Sequence, residues 1–86
     1  MTSNILYKSS VRHDLKKIDP KNLTRILHEI RRILGNNPHA GEALHGEFKG
    51  LYKLRVGDYR VIYAPIREGV LVLRITGLFL SLTSHA

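Results

Sequence analysis

An alternating run broken by a two-residue loop constrains this chain more than any other feature. Residues 51–56 (LYKLRV) and 59–64 (YRVIYA) flank Gly57-Asp58. Glycine in the first place of a two-residue loop signals a type II′ hairpin. So short a loop fixes the pairing, because a one-residue slip would turn every side chain to the opposite face. The expected register sets Val56 against Tyr59, Leu54 against Val61 and Tyr52 against Tyr63. All six are apolar or aromatic, so their face is expected to pack on the rest of the molecule. The other face sets Arg55 against Arg60 and Lys53 against Ile62, with Leu51 at its edge.

That second face carries the chemistry. Like charges directly opposed on a sheet destabilise it by roughly 0.2–1 kcal/mol. Lys53, Arg55 and Arg60 together therefore read as a site for an external anion, with phosphate the usual candidate. Two plainer readings stand beside it: the long side chains splay into solvent, or Asp58 and Glu47 neutralise them. The overall charge points the same way as the first reading. Fourteen Lys and Arg against seven Asp and Glu give +7 and a pI near 10.2. Such an excess suits a polyanionic partner, nucleic acid or an acidic protein, although it also solubilises a small surface.

Upstream, residues 3–8 (SNILYK) read as a short strand. Ser9 or Ser10 is placed to cap a helix whose apolar stripe is Val11, Leu15 and Ile18. Asp19-Pro20 marks a second helix, with aspartate at the N-cap and proline at the first helical position. Leu23, Ile26, Leu27, Ile30, Ile33 and Leu34 then form the strongest helical periodicity in the chain, and Gly35 with Asn36-Asn37-Pro38 stops it. Residues 36–50 read as a loop with one short extended piece. Pro65 to Gly69 is expected to turn, and residues 70–75 (VLVLRI) supply a further strand. Arg74 lies on that strand, and the turn before it leaves its face open. The order β-α-α-β-β-β describes a single α+β domain, residues 1–86, in which a helical hairpin covers one face of a small, mainly antiparallel sheet.

Several functions are disfavoured. The absence of cysteine removes disulfides, thiolate metal sites and a cysteine nucleophile. His39 and His45 do not match a common zinc spacing, so no metal is expected. No phosphate-loop signature occurs among the glycines, and no cofactor is expected. Ser9 and Ser10 read as caps rather than nucleophiles, His13 and His28 as solvated helix residues, and the four tyrosines as core or sheet residues. No apolar run approaches the roughly 18 residues that span a bilayer. No membrane role is expected, and the cytoplasm is the default location.

The run K-L-R-V-G-D-Y-R-V-I-Y, after a short strand and two amphipathic helices, resembles the RelE/ParE toxin superfamily over about residues 4–75, and its RelE branch most closely. The resemblance implies a small basic toxin neutralised by a RelB-like antitoxin. It implies entry into the ribosomal A site and cleavage of messenger RNA by the 2′-hydroxyl on the adjacent phosphate, without metal. It implies contact with operator DNA only through the antitoxin complex. Lys53 and Arg60 match catalytic positions of the family, and Arg55 matches the basic position beside them. Lys49, Lys53, Arg55, Arg60 and Arg74 are the implied RNA- and phosphate-binding set. Where the family has a lysine two residues before Lys53, this chain has Leu51, and Lys49 is the nearest substitute.

The C-terminal segment departs from the family pattern. A basic pair and a tyrosine are expected after the last strand, yet no Lys, Arg, Asp, Glu or Tyr follows Arg74. Residues 75–86 instead form an apolar tail, as a frameshifted, engineered or divergent end would. Loss of a positioned general acid or base slows such a reaction by about 10²–10⁴-fold. The resemblance therefore implies the family fold with weakened or absent cleavage. Two other functions share the fold: a ParE-like inhibitor of DNA gyrase, and a non-catalytic co-repressor that binds its antitoxin.

Overall fold

The computed structural model describes residues 3–77. The chain runs through β1 (Asn4–Tyr7), α1 (Val11–Lys16), α2 (Pro20–Leu34), β2 (Glu42–Ala43), a 3₁₀ turn (Gly46–Phe48), β3 (Tyr52–Val56), β4 (Tyr59–Ile66) and β5 (Gly69–Gly77). The five strands make one sheet in the order β1-β5-β4-β3-β2. Only β1 and β5 pair in parallel; the other pairs are antiparallel. The expected α+β class holds, with β2 as the short extended piece of the 36–50 segment.

Local chemistry explains the second helix well. The Asp19 carboxylate accepts the Asn22 N–H at 2.7 Å, and Pro20 follows at a position that needs no donor. At the far end Gly35 keeps right-handed helical angles and donates to the Arg31 carbonyl, while the Asn36 amide donates to the Arg32 carbonyl at 2.7 Å. The stop thus comes from an asparagine side chain and the following turn, not from a left-handed glycine. The first helix differs from expectation. Ser10 occupies its N-cap, but no side-chain hydroxyl caps it. Backbone carbonyls of Lys8, Ser9 and Ser10 take the first three N–H groups instead.

The core lies on one face of the sheet. Val11, Ile18, Ile26, Ile30 and Leu34 from the helical segment meet Val56, Val61, Tyr63, Val70, Val72 and Ile75. The β3–β4 register is the one expected, from Tyr52 against Tyr63 to Val56 against Tyr59. Gly57 takes φ +58 and Asp58 stays negative, the signature of a type II′ turn, which an L side chain at Gly57 would strain.

The β4–β5 connection corrects the sequence reading. Pro65 and Ile66 remain in β4, Arg67-Glu68 form the turn, and Ile66 faces Gly69. Proline lacks a donor and is accepted where the ladder asks for none. Further along, the register shifts between Ile62 and Tyr63: Tyr63 faces Val72, but Ile62 faces Arg74, which leaves Leu73 as an extra residue. Without this bulge Arg74 would share a face with Val70 and Val72 and point into the core. With it, Ile75 enters the core beside Val61, and Arg74 moves to the open side.

Candidate nucleic-acid interface

The face away from the helices holds a cleft of about 330 Å³ lined by Glu42, Lys53, Arg55 and Arg60. Alternation on β3 and β4 places the three cations there, because their neighbours Leu54, Val56, Tyr59 and Val61 are drawn to the core. Arg55 and Arg60 are direct cross-strand partners. Each is held differently. Arg55 Nε donates to the Gly57 carbonyl at 3.1 Å, so its stem is tied to the hairpin turn. Lys53 Nζ lies 3.4 Å from Glu42 Oε1. Arg60 is exposed, and no carboxylate pairs with it among the described residues.

Glu42 escaped the sequence reading. It sits in a stretch without periodicity, and two-residue β2 brings it opposite Lys53. The expected neutralisers, Asp58 and Glu47, form no ion pair with these cations among the described residues. Glu42 owes its place to its neighbour. The Gly41 N–H donates to the buried Tyr63 hydroxyl at 2.9 Å. A methyl group on Gly41 would fall 2.5 Å from the Lys53 carbonyl and 2.7 Å from that hydroxyl. Only glycine lets β2 approach β3 so closely. Burial pushes the Tyr63 hydroxyl pKa up, and the Gly41 N–H pulls it partly back. Tyr52 stacks on Tyr63 with ring centroids 5.6 Å apart, and His39 meets Tyr52 edge-on at 5.5 Å.

The two other basic residues of the expected set stand apart from the cleft. Arg74 is on the open face by register, yet its Nε lies 3.7 Å from Asp14 Oδ2 and the residue does not line the cleft. Lys49 is exposed at the end of the 3₁₀ turn and likewise lies outside the lining. The tail beyond Gly77 lies outside the described residues; of the apolar segment, Ile75, Thr76 and Gly77 belong to β5.

Comparison with known proteins bears on what this arrangement serves. Residues 5–77 match the family model described as the ParE toxin of the type II toxin-antitoxin system parDE. The chain belongs to the RelE/ParE toxin superfamily. Within it, a curated relative is Toxin RelE of Mycobacterium tuberculosis, 32% identical over 62 residues. That match covers 71% of this chain and 64% of the relative's length. Among solved structures, the toxin-antitoxin complex RelBE2 of M. tuberculosis contains a chain of TM-score 0.82 and 26% identity, over 90% of this chain and 92% of that one. The RelE–RelB complex of Pyrococcus horikoshii gives TM-score 0.69 at 28% identity, over 91% and 97%. The isolated Escherichia coli RelE toxin shares the fold at TM-score 0.68 and 14% identity, over 96% and 97%. This RelE/ParE chain spans less than two thirds of the length of that curated relative. No helix among its described residues is long and apolar enough to cross a membrane.

Proposed function

We propose that this chain is a type II toxin of RelE type, that it cleaves messenger RNA in the ribosomal A site and that a RelB-like antitoxin neutralises it. The observation that carries the reading is the cluster of Lys53, Arg55 and Arg60 around one cleft with Glu42 at its edge. Cleavage joins the 2′-oxygen to the adjacent phosphorus and breaks the bond to the 5′-oxygen. The products are a 2′,3′-cyclic phosphate and a 5′-hydroxyl. One proton leaves the 2′-hydroxyl and another reaches the departing 5′-oxygen, so nucleophile and leaving group both belong to the RNA. The protein must hold the phosphate, stabilise its added negative charge and move two protons. Lys53, Arg55 and Arg60 supply the charge. Glu42, the carboxylate lining the cleft, takes the proton from the 2′-hydroxyl. Lys49 and Arg74 serve as outlying contacts to the RNA backbone, and operator DNA is met only through the antitoxin complex. The chain works in the cytoplasm, where ribosomes are.

The proton donor for the 5′-oxygen is the weak point. No Lys, Arg, Asp, Glu or Tyr follows Arg74 in the sequence. Residues 75–86 thus lack the basic pair and tyrosine that the resemblance implies, and cleavage is slower by about 10²–10⁴-fold than in a relative that has them. Single-turnover cutting of ribosome-bound message tests both statements. Slow cutting that Arg60→Ala abolishes supports them, and cutting at a relative's full rate removes the attenuation. No cutting, with inhibition of DNA supercoiling by gyrase, would establish the ParE-like reading instead. Antitoxin binding without either activity would make the chain a co-repressor.

A further inference from the structure

The cleft leaves one conspicuous cation out. Arg25 rises from α2, on the helical side of the sheet, yet its guanidinium reaches the β3–β4 turn. A methyl group on Gly57 would lie 3.6 Å from its Nη1, 3.7 Å from its Cζ and 3.9 Å from its Nη2. Three near-equal distances set the guanidinium face-on to the turn, close enough that a methyl group there would be in ordinary van der Waals contact with it. A fork held by its face keeps the N–H groups along its edge free for an acceptor. Among the described residues no hydrogen bond or ion pair takes them up, although the charge of Arg25 helps to lower the pKa of Glu29. Glu29, one helical turn on, is engaged by Arg32 through bonds of 2.8 and 3.0 Å. No carboxylate pairs with Arg25 among the described residues.

The same turn also holds Arg55, whose Nε donates to the Gly57 carbonyl. Gly57 therefore joins two guanidinia, one from the cleft and one from the helical layer. Lys53, Arg55 and Arg60 line the cleft on the open face, and Arg25 stands at the turn that ends the same hairpin. Asp58 is the acidic residue of that turn, and it pairs with none of them. Cations in the cleft and at the turn that bounds it suit a polyanionic strand better than a single bound anion.

We propose that Arg25 is an RNA-binding residue that carries the cationic track over the β3–β4 turn and grips a phosphate flanking the one held in the cleft. The inference rests on the RNA reading of that cleft. The test compares binding of a uridine dinucleotide and a uridine decamer to the full chain over a range of KCl concentrations. The variants are Arg25→Ala, Arg25→Lys, Lys53→Ala and, as a control for net charge, Lys16→Ala on the exposed side of α1. Arg25→Ala should weaken the decamer about 3–10-fold and flatten its log–log salt slope by about 0.7, one phosphate contact on a single strand. Dinucleotide binding should not change, and Arg25→Lys should keep the slope. Lys53→Ala should weaken both ligands. An unchanged slope for Arg25→Ala, or an equal loss in Lys16→Ala, overturns the role of Arg25 while leaving the cleft intact. Decamer binding indifferent to Lys53→Ala removes the cleft reading itself, and the track with it.

Discussion

The carboxylate of Asp14 accepts the backbone N–H of Ile75 at 2.9 Å, a buried hydrogen bond between residues 61 apart in sequence. Strand β1 pairs with β5 only as far as Tyr7 against Val72, so the N–H of Ile75 has no strand beside it. Asp14, only 8% exposed, takes the place of that strand. Its other neighbour, Arg74, borders it from the open face. Replacement of Asp14 by alanine leaves a buried N–H unpaired, and a bond to a charged acceptor is worth about 1.5–3 kcal/mol. Asp14→Ala should lower the urea midpoint accordingly, and Asp14→Asn, which keeps an acceptor oxygen, should lose clearly less. Equal losses would mean that the carboxylate acts through its charge on Arg74.

Glycine at position 41 should resist enlargement. Its added methyl group meets the Lys53 carbonyl and the Tyr63 hydroxyl, so overpacking should cost about 1–3 kcal/mol and push Glu42 away from Lys53. Tyr63→Phe removes one of the two obstacles together with an acceptor worth about 1 kcal/mol. Chemical denaturation of Gly41→Ala, Tyr63→Phe and the double variant checks this: the combined loss should be less than the sum of the two.

Cations of the cleft should differ in how far they tolerate replacement. Arg60 has no hydrogen bond or ion pair among the described residues, so Arg60→Ala should lower cleavage of ribosome-bound message by about 10²–10³-fold, while thermal stability holds or rises slightly as the repulsion with Arg55 is relieved. Arg55→Ala should act on both, because it also releases the bond to the Gly57 carbonyl. Glu42→Gln should slow cleavage of ribosome-bound message, with little effect on RNA affinity.

Alkaline stability should be limited by Tyr63. Burial raises the pKa of its hydroxyl above the ordinary 10.0. Between that value and the folded one the unfolded chain has released a proton that the folded chain still holds, so the free energy of unfolding falls as pH rises. Stability is therefore full below about pH 10 and declines above it. Tyr63→Phe should remove much of that decline, read as the difference in denaturation midpoint between neutral pH and pH above 10. Tyr7, also raised by burial, should contribute to whatever decline remains.

The N-cap of α2 gives a simpler test. Asp19→Ala removes the acceptor for the Asn22 N–H and should cost about 1 kcal/mol of stability, seen as a lower thermal midpoint, with Asp19→Ser restoring most of it.

Sequence alone determined those features that depend on neighbours in the chain. The start of α2 follows from Asp19 and Pro20, its buried stripe from the spacing of Ile26, Ile30 and Leu34, and the β3–β4 register from Gly57-Asp58. Lys53, Arg55 and Arg60 reach one face because a strand alternates with a period of two. Tertiary structure decided the rest. Glu42 meets Lys53 because the small Gly41 and the distant Tyr63 hydroxyl fix a two-residue strand. Asp14, which looks like one more helix surface charge, is buried because β5 outruns β1 and leaves an N–H to be satisfied. The bulge at Leu73 turns Arg74 outward because Val72 and Ile75 must both enter the core, a demand that exists only once the helices cover that face. Arg25 reaches Gly57 because α2 packs across the hairpin end. Periodicity is written in consecutive residues, whereas partners far apart in the chain are chosen by burial and by the need of every buried polar group for a hydrogen bond.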